Sequence, residues 1–314
     1  MAAARADDGL SHHALIHGDQ REYLTHIADF VRAGLAGGEP VLISVPGHRD
    51  RMVRARLGGD SARVAYADMT ETGRNPARII PEIKAFADAH PGQRVRFVAE
   101  PAWPGRSAAE LCEVTRHEAL VNLAFAGTQA SILCLYDGDG LARSVIGGAR
   151  CTHPAVFADG TLQPSARYAG PPNMPAECER PLPSPPARAE AVSYRTGLRP
   201  IRSLVERHAC RSGLSGDRAA SLVLAVSELA ANTLRHTSAG GMVHIWDIPG
   251  EILCQVQDRG WIADPLAGRT RRDAVEPGHG LWLVNQLCDL VELRTGQAGT
   301  TVRLHMRRPR HGAL

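Results

Sequence analysis

Residues Ser221-Leu-Val-Leu-Ala-Val-Ser-Glu-Leu-Ala-Ala-Asn-Thr-Leu-Arg-His236 decide the fold of the second half of the chain. At helical period, four apolar residues form a stripe that can pack against a sheet: Leu222, Val226, Leu229 and Ala230. Glu228, Asn232 and His236 recur every four residues, so they stack along a neighbouring face. Taken alone, the helix favours a solvent-exposed polar row, but the downstream sequence changes that interpretation.

Length and composition bound the class of protein. A chain of 314 residues is longer than one average domain, so we expect two domains. The net charge of +3, with no dense basic run outside Arg303–Arg310, argues against direct nucleic-acid binding. Seven scattered cysteines without a CxxC pair favour reduced thiols over disulfides or a zinc site. No export signal or membrane-spanning run is visible, so we expect a cytoplasmic protein without membrane association.

The first half alternates short apolar strands with longer amphipathic helices. The predicted strands lie at 14–17, 40–45, 63–67, 95–99 and 131–136, and the predicted helices at 22–36, 49–57, 76–89 and 107–126. Strands that are apolar on both faces and separated by helices predict a mostly parallel α/β sheet covered on both sides. We expect this domain at residues 10–169.

A phosphate-binding loop is not evident in this first domain. Such a loop requires GxxxxGK[ST] directly after a strand. The chain instead reads His17-Gly-Asp-Gln-Arg-Glu-Tyr23 after one strand and Pro46-Gly-His-Arg-Asp50 after the next. Neither segment fits the pattern, so we do not expect phosphate binding here.

Four segments give the first half a resemblance to the MEDS domain, the methanogen/methylotroph DcmR-type sensory domain. They are His13-Ala-Leu-Ile-His17, Phe30-Val-Arg-Ala-Gly-Leu-Ala-Gly-Gly-Glu39-Pro-Val-Leu, Glu118 in the long helix, and Cys134-Leu-Tyr-Asp137. The resemblance implies a RecA/KaiC-like fold without a P-loop and a sensory role for an unknown small-molecule ligand. Four polar residues near strand ends are candidate ligand contacts, the alternative for each being a partnered structural group: Glu100, Glu118, Asp137 and His153.

Prolines mark the boundary between the two halves. The segment 170–188 is rich in proline, which predicts an extended, semi-rigid linker with neither helix nor sheet interior. The second domain is expected at 189–308. Its predicted strands lie at 189–195, 242–246, 252–257, 291–294 and 300–306, and its predicted helices at 200–211, 218–236 (capped by Asp217) and 280–290. These strands predict an antiparallel or mixed sheet, and helices on one face of such a sheet make a two-layer α+β sandwich.

Three downstream signals accompany the helix of residues 221–236. Gln257-Asp-Arg-Gly260 ends a strand with a carboxylate that can accept from an exocyclic amine and a glycine that admits a flat ring. Pro277-Gly-His-Gly-Leu-Trp-Leu-Val-Asn285 opens a helix with two glycines, and helix N-terminal amides attract phosphate. Gly299-Thr-Thr-Val-Arg-Leu304 places hydroxyls on the last strand. Each signal alone is common, and their order carries the information.

In that order the motifs resemble the N box, G1 box, G2 box and terminal Gly-Thr of the GHKL (Bergerat-fold) ATPase family. The resemblance covers residues 189–308. Val226-Ser-Glu-Leu-Ala-Ala-Asn-Thr-Leu-Arg-His-Thr237 and Gly278-His-Gly-Leu-Trp-Leu-Val284 are most similar to the RsbW-type anti-sigma factor/serine-protein kinases. The expected fold is therefore a Bergerat-type two-layer α/β sandwich.

The resemblance implies ATP and Mg²⁺ as cofactors and assigns a role to each motif residue. Asn232 would coordinate Mg²⁺ through its amide oxygen, and Glu228 would be the general base. Asp258 would accept from the adenine amine, with Thr300 supporting the same ring edge and Gly260 admitting the ring. Four residues would hold phosphates through their backbone amides: Gly278, His279, Gly280 and Leu281. His236 and Arg202 are weaker candidates, His236 with a structural role as its alternative.

The segment between Trp261 and Pro277 contains Arg269-Thr-Arg-Arg-Asp273. Two interpretations are open: a mobile lid whose arginines face phosphate, or a solvated loop. No helical hairpin with a phospho-acceptor histidine precedes the second domain, which disfavours self-phosphorylation on histidine.

Three functions remain in competition. The first is an anti-sigma-type serine kinase that binds a sigma factor and phosphorylates a serine of a STAS-type anti-sigma antagonist, under the control of the sensory domain. The second is a non-catalytic regulator whose nucleotide only switches its affinity for partners. The third is a sensor histidine kinase-like signalling protein. Related kinases often dimerise, so a homodimer is also left open.

Overall fold

The computed structural model describes residues 9–158, 160–171, 174–270 and 279–308. The chain divides into two compact units, Met1–Cys178 and Glu179–Leu314. One unit is built on a mostly parallel sheet and the other on an antiparallel sheet with helices. This confirms the predicted mixed α/β class. Within the described residues, no helix is long and apolar enough to cross a membrane.

The first unit has seven strands in the order β3-β2-β4-β5-β1-β6-β7. The strands are β1 Ser11–His17, β2 Val41–Val45, β3 Ala65–Asp68, β4 Val95–Ala99, β5 Ala130–Asp137, β6 Ala155–Ala158 and β7 Thr161–Pro164. The helices are α1 Gln20–Ala36, α2 Gly47–Leu57, α3 Met69–Thr72, α4 Ile79–Asp88, α5 Ala108–Ala124 and α6 Arg143–Thr152, with 3₁₀ turns at Gly58–Arg63 and Pro76–Arg78. Neighbouring strands pair in parallel from β3 to β6, and β6–β7 alone is antiparallel.

Local chemistry sets the helix ends in this unit. Asp19 accepts from the amide of Glu22 and begins α1 two residues before the predicted start. Ser107 and Glu110 form a capping box at the start of α5. The β6–β7 hairpin was not predicted, because β7 is exposed along its whole length and lacks the apolar alternation of a half-buried strand. Helix α6 was not predicted either.

The second unit is a five-stranded antiparallel sheet in the order β11-β12-β10-β9-β8. Its strands are β8 Glu190–Tyr194, β9 Gly241–Ile248, β10 Glu251–Asp258, β11 Leu290–Gly296 and β12 Gly299–Arg307. Its helices are α8 Arg199–Arg211, α9 Gly216–His236 and α10 His279–Leu287. Helix α10 ends three residues before its predicted end, because Leu290 already begins β11.

Helix α9 confirms the predicted amphipathic pattern. Its apolar stripe, Leu222, Val226, Leu229 and Ala230, is buried in the core together with alternate residues of the sheet. On β12, for example, Val302, Leu304 and Met306 belong to that core. The predicted start at Arg218 with Asp217 as cap is wrong: the helix begins at Gly216, and Ser215 occupies the capping position.

The prediction that the linker 170–188 contains no helix is wrong over one turn. Ala176–Glu179 forms a short helix, α7, directly after Pro175, and proline is compatible with the first turn of a helix. Cys178 of this turn is buried, and its carbonyl accepts a hydrogen bond from Arg116 of α5. Further along, Arg303 of β12 donates to the carbonyl of Pro183, so that part of the linker packs on the second unit.

Gly299 supports a test of the second unit's backbone. Gly299 has φ +113°, and a Cβ there would lie 2.1 Å from the carbonyl oxygen of Asp258. We expect Gly299→Ala to lower the free energy of unfolding by more than about 3 kcal/mol, since both backbone strain and a clash oppose it. Gly250 (φ +80°) meets nothing within 4 Å, so Gly250→Ala is the matched control, with a cost of about 1–2 kcal/mol. Urea denaturation of both variants measures the difference, and equal costs would contradict the close approach.

Candidate functional site

The polar row of α9 faces the first turn of α10. A Cβ built on Gly280 would lie 2.9 Å from Oε2 of Glu228 and 3.3 Å from Nδ2 of Asn232. Glycine is therefore the residue that lets these two helices approach, and the approach places a carboxylate and a carboxamide beside backbone amides that open a helix. Those first amides lack intrahelical acceptors and attract anions. Glu228 and Asn232 are both half-buried.

The carboxylate of Asp258, at the end of β10, is held by two hydrogen bonds. The hydroxyl of Thr233 donates to Oδ2 over 2.6 Å, and the backbone amide of Gly260 donates to Oδ1 over 2.7 Å. An ionised carboxylate has about four acceptor positions, so each oxygen can still accept a bond from a ligand. Helix α9 thus orients Asp258 through Thr233, one residue after Asn232.

A chain of hydrogen bonds fixes the loop that follows Asp258. The sheet register puts Thr300 opposite Asp258 on one side and opposite Thr295 on the other. Thr300 donates to the carbonyl of Gly260 over 2.9 Å, so Thr295, whose Oγ1 lies 2.8 Å from that of Thr300, is the donor in their contact. Oγ1 of Thr295 in turn accepts from the amide of Ile262 over 3.0 Å. Because the proton of Thr300 is committed, its hydroxyl faces a ligand as an acceptor.

Asn232, Asp258 and Thr300 are among the residues that line a cavity of about 290 Å³ in the second unit. The lining combines polar groups of α9, β10 and β12 with apolar groups of the following segment and α10: Asn232, Thr233, His236, Thr237, Asp258, Gly260, Trp261, Ile262, Ala263, Asp264, Ala267, Leu281 and Thr300. A mainly apolar cavity with a few convergent polar groups is typical of a small-molecule site. Trp261 is 71% exposed beside it.

The remaining predicted residues occupy different places. His236 is exposed at the cavity edge. Oδ1 of Asn232, the predicted metal ligand, accepts a hydrogen bond from the exposed Arg235 over 2.9 Å. Arg202 donates to the hydroxyl of Ser227, the residue before Glu228, over 3.1 Å.

The segment after β10 is described only up to residue 270. Asn285 of α10 donates to the carbonyl of Gly268 over 2.9 Å, and Arg269 is 7% exposed, so this first part packs on α10. Gly278 and residues 271–277 lie outside the described residues. Of the four predicted phosphate-binding residues, His279, Gly280 and Leu281 form the first turn of α10.

Sequence reasoning missed two members of the site, Thr233 and Thr295. Thr233 follows Asn232 directly, and one helical step carries it from the polar row to the sheet side, where it meets Asp258. Thr295 lies on β11 and reaches Thr300 across a hairpin. The Asn-Thr pair was a usable signal for Thr233, whereas Thr295 became visible only through the register.

In the first unit, a second polar group lies where β1, β4 and β5 end. The hydroxyl of Tyr23 donates to Glu100 over 2.8 Å, and Nε of Arg49 lies 3.2 Å from the other carboxylate oxygen. Arg49 also approaches Asp137 at 4.0 Å. His17 is buried next to Tyr23, and neither of its ring nitrogens has a hydrogen-bond partner among the described residues.

The four candidate ligand contacts of this unit separate into two groups. Glu100 and Asp137 meet through Arg49 at the strand ends, whereas Glu118 and His153 lie together elsewhere. Burial raises the pKa of Glu100 to about 7, although Arg49 and the Tyr23 hydrogen bond oppose the shift. Burial, with a smaller contribution from Arg49, lowers the pKa of His17.

The second unit has an antiparallel sheet backed by three helices. Its cavity lies between a polar helix face, an Asp-x-Gly turn and a helix N-terminus. This arrangement defines a nucleotide-binding domain of the histidine kinase-like class. Residues 193–306 match the family model of the histidine kinase-like ATPase domain. Residues 11–154 match that of MEDS, the methanogen/methylotroph DcmR sensory domain. The chain therefore joins a MEDS domain to a histidine kinase-like ATPase domain, which implies ATP binding.

Whole proteins show less similarity to this chain than the two family models do. No curated protein matches the chain. Among solved structures, the RsbU and RsbW domains of Rv1364c from Mycobacterium tuberculosis are similar at 21% identity over 41% of this chain, with a TM-score of 0.31. The match spans 35% of that chain, about a third of its length.

Glu100 makes a pH-dependent contribution to the stability of the first unit. The pKa of Glu100 is raised from 4.5 to about 7, so at pH values between these two the folded state binds more protons than the unfolded state. The free energy of unfolding therefore falls as pH rises through about 7. Between pH 5 and 8 we expect the wild type to lose about 2–3 kcal/mol relative to Glu100→Gln, which cannot ionise. Urea unfolding of both proteins across this range measures the difference. Parallel pH profiles would show that Glu100 has no raised pKa.

Proposed function

We propose that the chain is an ATP-dependent anti-sigma-type regulator that transfers phosphate to a serine of a STAS-type antagonist under the control of its MEDS domain. The observation that carries the proposal is the approach of Glu228 and Asn232 to the first turn of α10, around Gly280. A kinase needs a base and a metal ligand beside the phosphates, and this arrangement supplies both residue types at that position.

The cavity suits the base of ATP, and the first turn of α10 beside it suits the phosphates. Asp258, held by Thr233 and Gly260, offers a carboxylate oxygen as acceptor for the adenine amine. Gly260 and the apolar lining give the ring a flat surface, with Thr300 as a supporting acceptor. The amides of His279, Gly280 and Leu281, in the first turn of α10, would bind the phosphates. Gly278, the fourth residue of this proposed set, lies outside the described residues.

Asn232 is the residue that would hold Mg²⁺. Its amide oxygen is a hard donor of the kind that this ion prefers. When bound, the ion neutralises charge on the phosphates. Arg235 currently donates to this oxygen, so metal binding requires the exposed guanidinium to turn away.

Glu228 would act as general base. Its carboxylate lies one helical turn before Asn232 and against Gly280, so a serine hydroxyl directed at the terminal phosphate would meet it. Glu228 would take the hydroxyl proton while the oxygen bonds to phosphorus and ADP leaves. Ser227 and Arg202, hydrogen-bonded behind it, would stabilise the helix face on which Glu228 stands.

The finer architecture belongs to the same proposal. We place a RecA/KaiC-like sensory domain without a P-loop at 10–169, a linker at 170–188 and a Bergerat-type ATPase domain at 189–308. The parallel order of the first sheet and the α9–β10–α10 arrangement of the second support this division. The partners would be a sigma factor and a STAS-type antagonist, with an unidentified small molecule as the sensory ligand and a homodimer as one assembly.

A non-catalytic switch is the second candidate. The hydrogen bond from Arg235 to Asn232 favours it, because in this state a guanidinium engages the oxygen that would bind the metal ion. Nucleotide binding would then act only by releasing Arg235.

Replacement of Asp258 tests adenine recognition. Inosine triphosphate carries a carbonyl where ATP carries the amine, so we expect the wild type to prefer ATP by about 10–100-fold, as for a hydrogen bond to a charged group. Asp258→Asn should lose most of this preference. Asp264→Asn, which changes another aspartate of the same cavity, should keep it. Isothermal titration with both nucleotides measures the ratio. An unchanged ratio in Asp258→Asn would remove Asp258 from the adenine site.

Replacement of Glu228 tests catalysis. With γ-labelled ATP and a panel of purified STAS-domain proteins from the source organism, we expect acid-stable phosphoserine on the acceptor. Glu228→Gln should slow transfer by about 100-fold or more while ATP binding persists, because general bases contribute at least that much. Glu206→Gln, on the exposed surface of α8, is the control.

The three candidate functions give different results in this assay. Equal transfer by Glu228→Gln would refute the assigned base. Acid-labile label on the chain itself would indicate the histidine kinase-like function. ATP-dependent partner binding without transfer by the wild type would indicate the non-catalytic switch.

A further inference from the structure

Four side chains with metal-binding atoms converge in the interior of the first unit. We call them the buried cluster: His12, Glu118, Cys134 and His153. Their exposed fractions are 1%, 0%, 2% and 0%, and one ligand atom from each lies within 4.8 Å of all the others. The cluster is separate from the ATPase domain and independent of the proposed phosphotransfer.

Rigid elements hold each member in place. His12 lies on β1 and Cys134 on β5, which pair in parallel at the centre of the sheet. Glu118 projects from α5, and His153 directly follows α6. The cluster therefore joins two helices to two central strands, and its geometry is fixed by the fold rather than by a loop.

Three of four measured distances between ligand atoms of the cluster match the edges of a metal-coordination tetrahedron, and the fourth is shorter by about 0.3 Å. Oε2 of Glu118 lies 3.0 Å from Nε2 of His12, 3.4 Å from Sγ of Cys134 and 3.4 Å from Nε2 of His153. Sγ of Cys134 lies 3.5 Å from Nε2 of His12. With zinc–ligand bonds of about 2.0–2.3 Å, tetrahedral ligand atoms stand about 3.3–3.7 Å apart.

The hydrogen bonds around His12 determine which ring nitrogen carries the proton when the imidazole is neutral. The amide nitrogen of Asn122 donates to the carbonyl of Thr152 over 2.7 Å, which orients the amide. Its oxygen therefore faces Nδ1 of His12 at 3.1 Å, so a neutral His12 carries its proton on Nδ1. The lone pair of Nε2 then points at the carboxylate of Glu118.

His153 repeats this arrangement from the other side. Its Nδ1 lies 2.8 Å from the carbonyl of Ala149, an acceptor only, so Nδ1 carries the proton. Its Nε2 is fully buried and has no hydrogen-bond partner among the described residues, although it lies 3.4 Å from Oε2 of Glu118. The hydroxyl of Tyr136 donates to Oε1 of Glu118 over 3.1 Å, which leaves Oε2 for the centre of the cluster.

Two imidazole nitrogens, a carboxylate oxygen and a thiol thus face one point in the interior of the first unit. A single divalent ion satisfies all four groups together. We propose that the buried cluster binds a divalent transition-metal ion of the zinc class.

The donor set selects the kind of ion. Mixed nitrogen, sulfur and oxygen ligands suit Zn²⁺, whereas Mg²⁺ and Ca²⁺ require oxygen alone. Binding displaces the thiol proton of Cys134 to solvent. Four protein ligands close the site, which is typical of structural metals, and Asn122, Ala149 and Tyr136 supply the outer hydrogen bonds that orient the ligands. Metal occupancy would therefore set the stability of the sensory domain.

Cobalt substitution tests the site in the full chain. After removal of metal by a chelator, Co²⁺ is titrated and followed by absorption. We expect one equivalent to give tetrahedral d–d bands and a thiolate-to-cobalt charge-transfer band, with Zn²⁺ displacing it. Cys134→Ser should abolish the charge-transfer band and weaken binding by more than about 100-fold, beyond the effect of an outer-shell change. Cys151→Ala, a buried thiol of the same unit outside the cluster, should leave both unchanged.

X-ray absorption at the zinc edge of the wild type keeps the test decisive if a variant fails to fold. One sulfur and three nitrogen or oxygen ligands are expected. No stoichiometric binding by the wild type would overturn the proposal. So would a zinc shell without sulfur, or cobalt spectra that are identical in Cys134→Ser and the wild type.

Discussion

The hydrogen bond from Thr233 to the carboxylate of Asp258 is the interaction on which the ATPase-domain site depends. It ties the polar side of α9 to the end of β10 over 2.6 Å. The same carboxylate accepts the amide of Gly260, and Thr300 holds the carbonyl of Gly260 from the neighbouring strand. One acidic group therefore sets the position of a helix, a turn and a strand around the cavity. A carboxylate held in one orientation suits the selective recognition of an amine.

The two units solve the problem of buried polar groups in different ways. In the ATPase domain, carboxylate, hydroxyl and backbone groups satisfy one another and leave acceptor capacity facing a cavity. In the sensory domain, the buried cluster is held by outer hydrogen bonds that turn lone pairs inward, where the described protein supplies no donor for Nε2 of His153. The first arrangement suits a ligand that binds reversibly, and the second suits an ion that stays bound as part of the structure.

The sequence predicted what depends on local periodicity and motif order. The apolar stripe of α9 and the mostly parallel sheet of the first unit follow from such patterns, and the antiparallel sheet of the second unit is one of the two arrangements that they allow. The β6–β7 hairpin, the helical turn Ala176–Glu179 and the role of Thr295 do not, because strand register and tertiary packing decide them. The absence of a CxxC pair argued against a zinc site. The buried cluster contains only one cysteine, and Glu118 and Cys134 lie more than 100 residues from His12 in the sequence. Spacing rules cannot detect ligands that the topology brings together.

ATP binding in the cavity of the second unit is the central proposal. The most direct measurement is a crystal structure of the full chain with Mg²⁺ and a non-hydrolysable ATP analogue. We expect the adenine amine on the carboxylate of Asp258, the phosphates at the amides of His279–Leu281, and Asn232 released from Arg235 to face the metal. An adenine ring bound away from Asp258, or phosphates remote from the first turn of α10, would contradict it.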